Sequence, residues 1–137
     1  MTEPPKRILI IDDEPELCEM MNAQLKNSGF EFIQAYDGDG GFQAVVRENP
    51  DCILLDVRMP RQDGLTFLRK FRSYRDDDFD KQRRVRSIPV IVLTAAGDNM
   101  RALFETEGIK DYITKPFDIH IIKARILSVI QAREKLA

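Results

Sequence analysis

Cys52-Ile53-Leu54-Leu55-Asp56 is a short apolar run that ends in a carboxylate, and the same design recurs along the chain. Ile8-Leu9-Ile10-Ile11 runs into Asp12-Asp13, Val90-Ile91-Val92-Leu93 into Thr94, and Tyr112-Ile113-Thr114 into Lys115-Pro116. A further run, Phe30 to Ala35, ends without such a group. Runs this short, separated by helix-like stretches, predict buried parallel strands. In an open α/β sheet the carboxyl ends of the strands line the ligand crevice. The sequence therefore brings Asp12, Asp13, Asp56, Thr94 and Lys115 toward one place from four separate segments.

The stretches between the runs have helical spacing. After Asp13, Pro15 suits a first helical position and Glu14 and Glu16 suit the positive end of a helix. Leu17, Met20, Met21 and Leu25 follow at helical intervals until Asn27-Ser28-Gly29. Asp37-Gly38 predicts a turn before a helix through Phe42, Val45 and Val46, which Asn49-Pro50 ends. Met59-Pro60 and Asp63-Gly64 lead into a helix carrying Leu65, Leu68 and Phe71. Another helix is expected around Asn99 to Thr106, closed by Gly108, and a last one from near Asp118 through Ile119, Ile122, Ile126, Val129 and Ile130. Strict alternation of strand and helix predicts a doubly wound sheet with helices on both faces. Between Arg72 and Ile88 the rhythm breaks. Four aspartates (Asp76, Asp77, Asp78, Asp80) precede Lys81, Arg83, Arg84 and Arg86. The plain expectation is a solvated extension of the preceding helix and its loop, with a partner-binding loop as the rival.

The 137 residues suffice for one domain with a proper core, and a net charge of −2 gives no global pull toward nucleic acid or an anionic membrane. No apolar stretch approaches the roughly 20 residues of a membrane span, and the first residues lack a signal-peptide core. Cys18 and Cys52 lack metal-ligand spacing and are expected as small buried apolar groups. A reducing, cytoplasmic setting fits. The lone His120 excludes a histidine-based triad and is expected at the surface. Asp37-Gly38-Asp39-Gly40-Gly41 imitates a calcium loop but carries Phe42 where that loop needs its turn glycine.

The clustered groups suit one chemistry. Neighbouring carboxylates repel and tend to share a cation or a proton. Oxygen-only ligands suit Mg²⁺, which takes one or two carboxylates, several waters and a substrate phosphate. A carboxylate can attack phosphorus to form an aspartyl phosphate, while an ammonium and a hydroxyl stabilise the phosphoryl oxygens. Taken singly, Asp12 and Asp13 could be a helix cap and a solvated acid. Lys115 could be a surface lysine, and Tyr112 a static half-buried strand residue. Only the joint pattern overturns those readings.

Jointly, Asp12-Asp13-Glu14-Pro15, Leu-Leu-Asp56-Val-Arg-Met59-Pro60 with Asp63-Gly64, Val-Leu-Thr94-Ala95 and Asp111-Tyr112-Ile-Thr-Lys115-Pro116-Phe117 resemble the receiver domains of two-component response regulators. The resemblance runs from about Arg7 to Gln131. It implies a flavodoxin-like five-stranded parallel sheet of order 2-1-3-4-5 with five helices. It implies one receiver domain over 1–137, with a core of about 7–131, the charged insertion at about 73–87 and a helical tail at 132–137 that could lead into an output domain. Asp56 would be the phosphoacceptor, taking its phosphoryl group from the phosphohistidine of a sensor kinase or phosphotransfer protein. Asp13 would ligate Mg²⁺ directly, Asp12 through metal-bound water and Arg58 through its carbonyl, and Mn²⁺ could substitute. Lys115, ahead of a cis peptide to Pro116, would pair with Asp56 and then with the phosphoryl group. Thr94 would swing toward the phosphoryl oxygens while Tyr112 turns from exposed to buried. The Arg58 side chain either reaches the phosphate or lies in water, and the small Ala96 would leave the site open to water.

The expected function is a signalling switch rather than an enzyme, promoting its own phosphorylation and dephosphorylation. It would act through the surface of the helix near 99–106, the strand at 112–114 and the last helix, on a downstream protein, a fused output domain or a second copy. No direct contact with nucleic acid is expected. A phosphatase of the haloacid-dehalogenase type, the main enzyme rival, would need a second aspartate where Asp56-Val57-Arg58 has arginine. A receiver-like interaction module that has lost phosphorylation is the remaining alternative.

Overall fold

Strands and helices alternate in the order β1 (Lys6–Ile11), α1 (Glu16–Leu25), β2 (Phe30–Ala35), α2 (Gly38–Glu48), β3 (Cys52–Asp56), α3 (Arg61–Arg72), α4 (Phe79–Arg86), β4 (Val90–Thr94), α5 (Arg101–Thr106), β5 (Asp111–Thr114) and α6 (Ile119–Leu136). The computed structural model describes residues 3–57, 61–94 and 101–136, with backbone alone at 61–63. The strands form one parallel sheet of order β2-β1-β3-β4-β5. This is the doubly wound, flavodoxin-like arrangement expected from the sequence.

The core follows the two-residue period of the strands. Leu9, Ile11, Ile53, Leu55, Val90 and Val92 pack on one face against Ala44 and Val45 of α2, Leu68 and Phe71 of α3 and Phe104 of α5. Ile8, Ile10, Leu54, Ile91 and Leu93 pack on the other against Met21 and Leu25 of α1 and Ile122 and Ile126 of α6. Every residue of β3 and β4 is buried, which explains why those strands are continuous apolar runs without alternation. Each such aliphatic side chain contributes about 1.5–3 kcal/mol relative to exposure. Cys18 and Cys52 are free and buried, and burial pushes both thiols up, so neither is a ready nucleophile.

Local chemistry sets the element ends. Pro15 occupies the cap of α1 rather than its first turn. Asp37-Gly38 is a helix start rather than a free turn, because the Asp37 carboxylate accepts the amide of Gly40 at 2.7 Å and caps α2. Asn49 closes α2 in the left-handed region at φ 50°, and Gly108 does the same after α5 at φ 79°. At Gly41 the helix approaches the sheet closely: a Cβ there would lie 2.6 Å from Cδ1 of the fully buried Ile11. The last helix runs on to Leu136, as the helix-forming tail predicts.

The charged insertion departs from expectation. It does not extend α3, which ends at Arg72. It folds instead as the separate helix α4, a sixth helix beyond the five expected. Asp78 caps it by accepting the amides of Asp80 (3.0 Å) and Lys81 (3.2 Å). Asp80 then sits in its first turn, and Arg83, Arg84 and Arg86 sit in its last, which suits the helix dipole. Val85 is its buried apolar anchor. The connection from α3 is held by polar bonds. Gln82 Oε1 accepts the amide of Asp76 at 3.0 Å, the Tyr74 hydroxyl donates to Asp76, and Arg86 Nε donates to the Tyr74 carbonyl at 2.7 Å. The Tyr74 hydroxyl and the amide of Asp78 hold the Asp76 carboxyl below the usual aspartate range. The half-buried Arg72 donates to the carbonyls of Glu107 (2.8 Å), Gly108 and Arg86 (3.4 Å), tying α3, α4 and the end of α5 together.

Candidate functional site

The register of the sheet assembles the site. Ile11 pairs with Leu55, so the next position along that register sets Asp12 beside Asp56. Asp56 in turn pairs with Leu93, and Thr94 with Thr114. Beyond the formal strand ends the amide of Val57 donates to the Leu93 carbonyl at 2.9 Å and that of Lys115 to the Thr94 carbonyl at 2.8 Å. Four neighbouring strands thus deliver Asp12, Asp56, Thr94 and Lys115 to one edge. Strand parity divides the set. Asp12 and Asp56 continue the Ile10, Leu54 and Leu93 side, and Lys115 continues that of Ile113. Thr94 and Tyr112 share parity with Val92, on the opposite side.

Asp12 (0% exposed) and Asp56 (1%) are buried carboxylates at adjacent positions, and Thr94 (0%) is the buried hydroxyl next along. Asp12 is pinned by its backbone and side chain together. Its amide donates to the Ala35 carbonyl at 3.0 Å, its carbonyl accepts from Gln34 Nε2 at 2.8 Å, and its Oδ1 accepts the amide of Glu14 at 3.1 Å. Asp13, the next residue, is exposed. Among the described residues no three acidic, histidine or cysteine side chains gather closely enough to form a closed metal cage. Two buried aspartates side by side fit Mg²⁺ better than a cation that needs a full protein cage, since Mg²⁺ keeps much of its water.

Lys115 is half-buried, precedes a cis peptide to Pro116 as expected, and carries its ammonium 5.7 Å from the centre of the Phe117 ring. Tyr112 is buried and packs on Phe104 with ring centres 6.5 Å apart. The Arg101 guanidinium lies over its ring, 5.5 Å from the centre, and is itself held by Glu105 at 2.7 Å. The Tyr112 hydroxyl is buried without a hydrogen-bond partner among the described residues. The Arg58 carbonyl and Ala96, both named from sequence, lie outside the described residues. His120 is exposed, as expected.

Two contributors escaped the sequence reading. Gln34 buttresses Asp12, and its signal was available: Phe30, Phe32 and Gln34 share one strand parity, so a polar group stands where an apolar one is due. Arg101 stacks on Tyr112 from a short helix whose pattern gives no hint of the contact.

The family model described as response regulator receiver domain matches residues 8–127. The master transcriptional regulator RpaA of Synechocystis is 36% identical over 132 residues, covering 95% of this chain and 51% of that protein. The alkaline phosphatase synthesis regulatory protein PhoP of Bacillus subtilis is 30% identical over 130 residues, covering 94% of this chain and 50% of PhoP. The chain spans about half the length of these curated relatives. A CheY-like receiver domain from Methanospirillum hungatei superimposes with a TM-score of 0.79 at 22% identity, covering 97% of this chain and 99% of that one. The receiver domain of a Pseudomonas aeruginosa sensor histidine kinase, solved with magnesium coordinated in its active site cleft, superimposes with a TM-score of 0.76 at 28% identity, covering 93% and 98%.

Proposed function

The chain belongs to the response regulator receiver domain family, and from that premise we propose that Asp56 accepts a phosphoryl group and that Thr94 and Tyr112 read its presence. The observation that carries the proposal is the buried Asp12–Asp56 pair on adjacent strands, with the buried Thr94 at the end of the next strand and the Lys115 amide hydrogen-bonded to the Thr94 carbonyl. A sensor kinase phosphohistidine is the donor. An Asp56 carboxylate oxygen attacks phosphorus, the P–N bond breaks, the electron pair leaves with the imidazole, and an acyl phosphate forms on Asp56.

Asp12 and Asp56, with the exposed Asp13 that follows Asp12, would hold Mg²⁺. When bound, the ion supplies positive charge that offsets the two carboxylates and the phosphoryl oxygens. Lys115 contributes a second cation on the same strand parity as Asp56. The Thr94 hydroxyl donates to a phosphoryl oxygen, and its movement shares space with Tyr112, which lies on the same side of the sheet. The burial of Tyr112 is compatible with an inward arrangement of that pair. The output surface is then α5, β5 and α6, on a downstream protein or fused domain. Enzymatic turnover of another substrate is no part of this proposal.

Beryllofluoride with Mg²⁺ tests the reading. It should bind the wild type and shift the amide spectrum around Asp56, Thr94 and Tyr112, and Asp56→Asn should abolish the response. An unresponsive wild type would sink the proposal. Persistence in Asp56→Asn would move the acceptor elsewhere.

A further inference from the structure

At the amino edge of the sheet, opposite the aspartates, α4 and α6 enclose a groove of about 900 Å³. It is lined by Ile88 and Pro89 ahead of β4 and by Ile130 of α6, all three buried, and by the more exposed Val129 and Ala132 of α6. Leu136, 87% exposed, stands at one end. Cationic side chains on its walls outnumber carboxylates two to one, in a chain whose net charge is −2.

The carboxylates are already engaged. Glu134 pairs with Lys6 at 2.9 Å, Asp80 with Arg83 at 2.5 Å, and Asp51 accepts the amide of Arg7 at 2.8 Å. Three guanidinium groups meet only neutral acceptors among the described residues. Arg84 donates to Asn49 Oδ1 (3.0 Å), Arg86 to the Tyr74 carbonyl, and Arg133 to Ser87 Oγ (3.3 Å) and the Arg84 carbonyl (3.0 Å). Burial lowers the Arg133 pKa, against the opposing pull of the nearby Asp51 carboxylate, and the charge of Arg84 adds to the lowering. These cations are thus held close together beside an apolar strip, in a groove where basic side chains outnumber the carboxylates. That combination is complementary to a carboxylate-bearing surface with apolar side chains at its centre. A nucleic-acid backbone suits it less, because apolar lining residues offer nothing to phosphate and the wall carboxylates repel it.

We propose that the α4–α6 groove receives an acidic amphipathic segment of a partner protein, with its apolar side chains on Val129, Ala132 and Leu136 and its carboxylates against Arg84, Arg86 and Arg133. The site is separate from the Asp56 edge and adds a second contact surface that the charged insertion creates.

The test titrates isotopically labelled protein with a synthetic helical peptide bearing leucine at i, i+3, i+4 and i+7 and glutamate elsewhere. Saturable shifts are expected at the amides of Ser87, Lys110, Val129 and Glu134. Affinity should fall at least about tenfold, or roughly 1.4 kcal/mol, in Arg84→Glu/Arg133→Glu. The exposed single variant Arg84→Glu, which disturbs no buried group, should lose part of it. A peptide with lysine in place of glutamate should bind at least about tenfold more weakly. Absence of saturable binding, shifts on another face, or equal affinity for the lysine peptide would each overturn the proposal. So would a short DNA duplex that binds the groove more tightly than the acidic peptide. The beryllofluoride response should be unchanged in both variants, so failure here leaves the Asp56 reading to its own test.

Discussion

Thr94 is the residue whose removal best separates the chemistry from its readout. It is fully buried at the end of the strand next to that of Asp56, and its side chain lies on the strand parity of Tyr112. Thr94→Ala should leave beryllofluoride binding at Asp56 largely intact and remove most of the accompanying shift in the Tyr112 ring resonances. Side-chain carbon–proton spectra check it, and a full Tyr112 response in the variant would disconnect the two residues. The acidic and basic members of this site were legible from sequence because each stands where an apolar strand ends, and strand ends are where such a sheet collects its ligands. The inward position of Tyr112 was not legible. A tyrosine at a strand edge is compatible with either rotamer, and the choice is made by Phe104 and Arg101, which come from another element.

At the scale of elements, the seat of α2 on β1 is the tightest constraint near the site. Gly41→Ala would gain about 1 kcal/mol of helix propensity but drive its methyl group against Ile11, the residue before Asp12. Overpacking of a filled core costs about 1–3 kcal/mol, so a net loss of roughly 1 kcal/mol is expected. Denaturant unfolding measures it, and a stabilised variant would mean that Ile11 has room to turn. Helix α4 has its own sensitivity, to acid. The Asp76 carboxyl is depressed by Tyr74, so its contribution is present above the ordinary value of 3.8 and is lost as pH falls through the lowered folded value. Amides of α4 should therefore lose exchange protection at acid pH ahead of those in β3, and Tyr74→Phe should bring that loss to higher pH. Equal protection in the wild type and Tyr74→Phe across that range would refute the link. The sequence reading missed this helix because Val85 is its buried apolar group, leaving no apolar stripe to detect. Its ends were nonetheless written plainly: an aspartate cap, an acidic first turn and an arginine-rich last turn.

For the whole molecule, the alternation of strand and helix gave the fold class, and the resemblance gave the strand order. Neither could give the register, which depends on side chains packing across the sheet. Arg72 is where several parts meet. Arg72→Ala removes charge-assisted bonds to three carbonyls and is expected to cost about 2 kcal/mol, with faster amide exchange around Glu107 and in α4 together. Exchange that rises in only one of the two would show that they are held independently. The same residue decides how portable the insertion is. Moving residues 73–87 alone into another protein of this architecture would leave behind both the guanidinium that grips α4 and the carbonyls at the end of α5 that fix its position. A transplant would need the donor arginine and the 107–108 corner to travel with the segment. The insertion is thus not a detachable ornament but a graft whose stitches lie in the host.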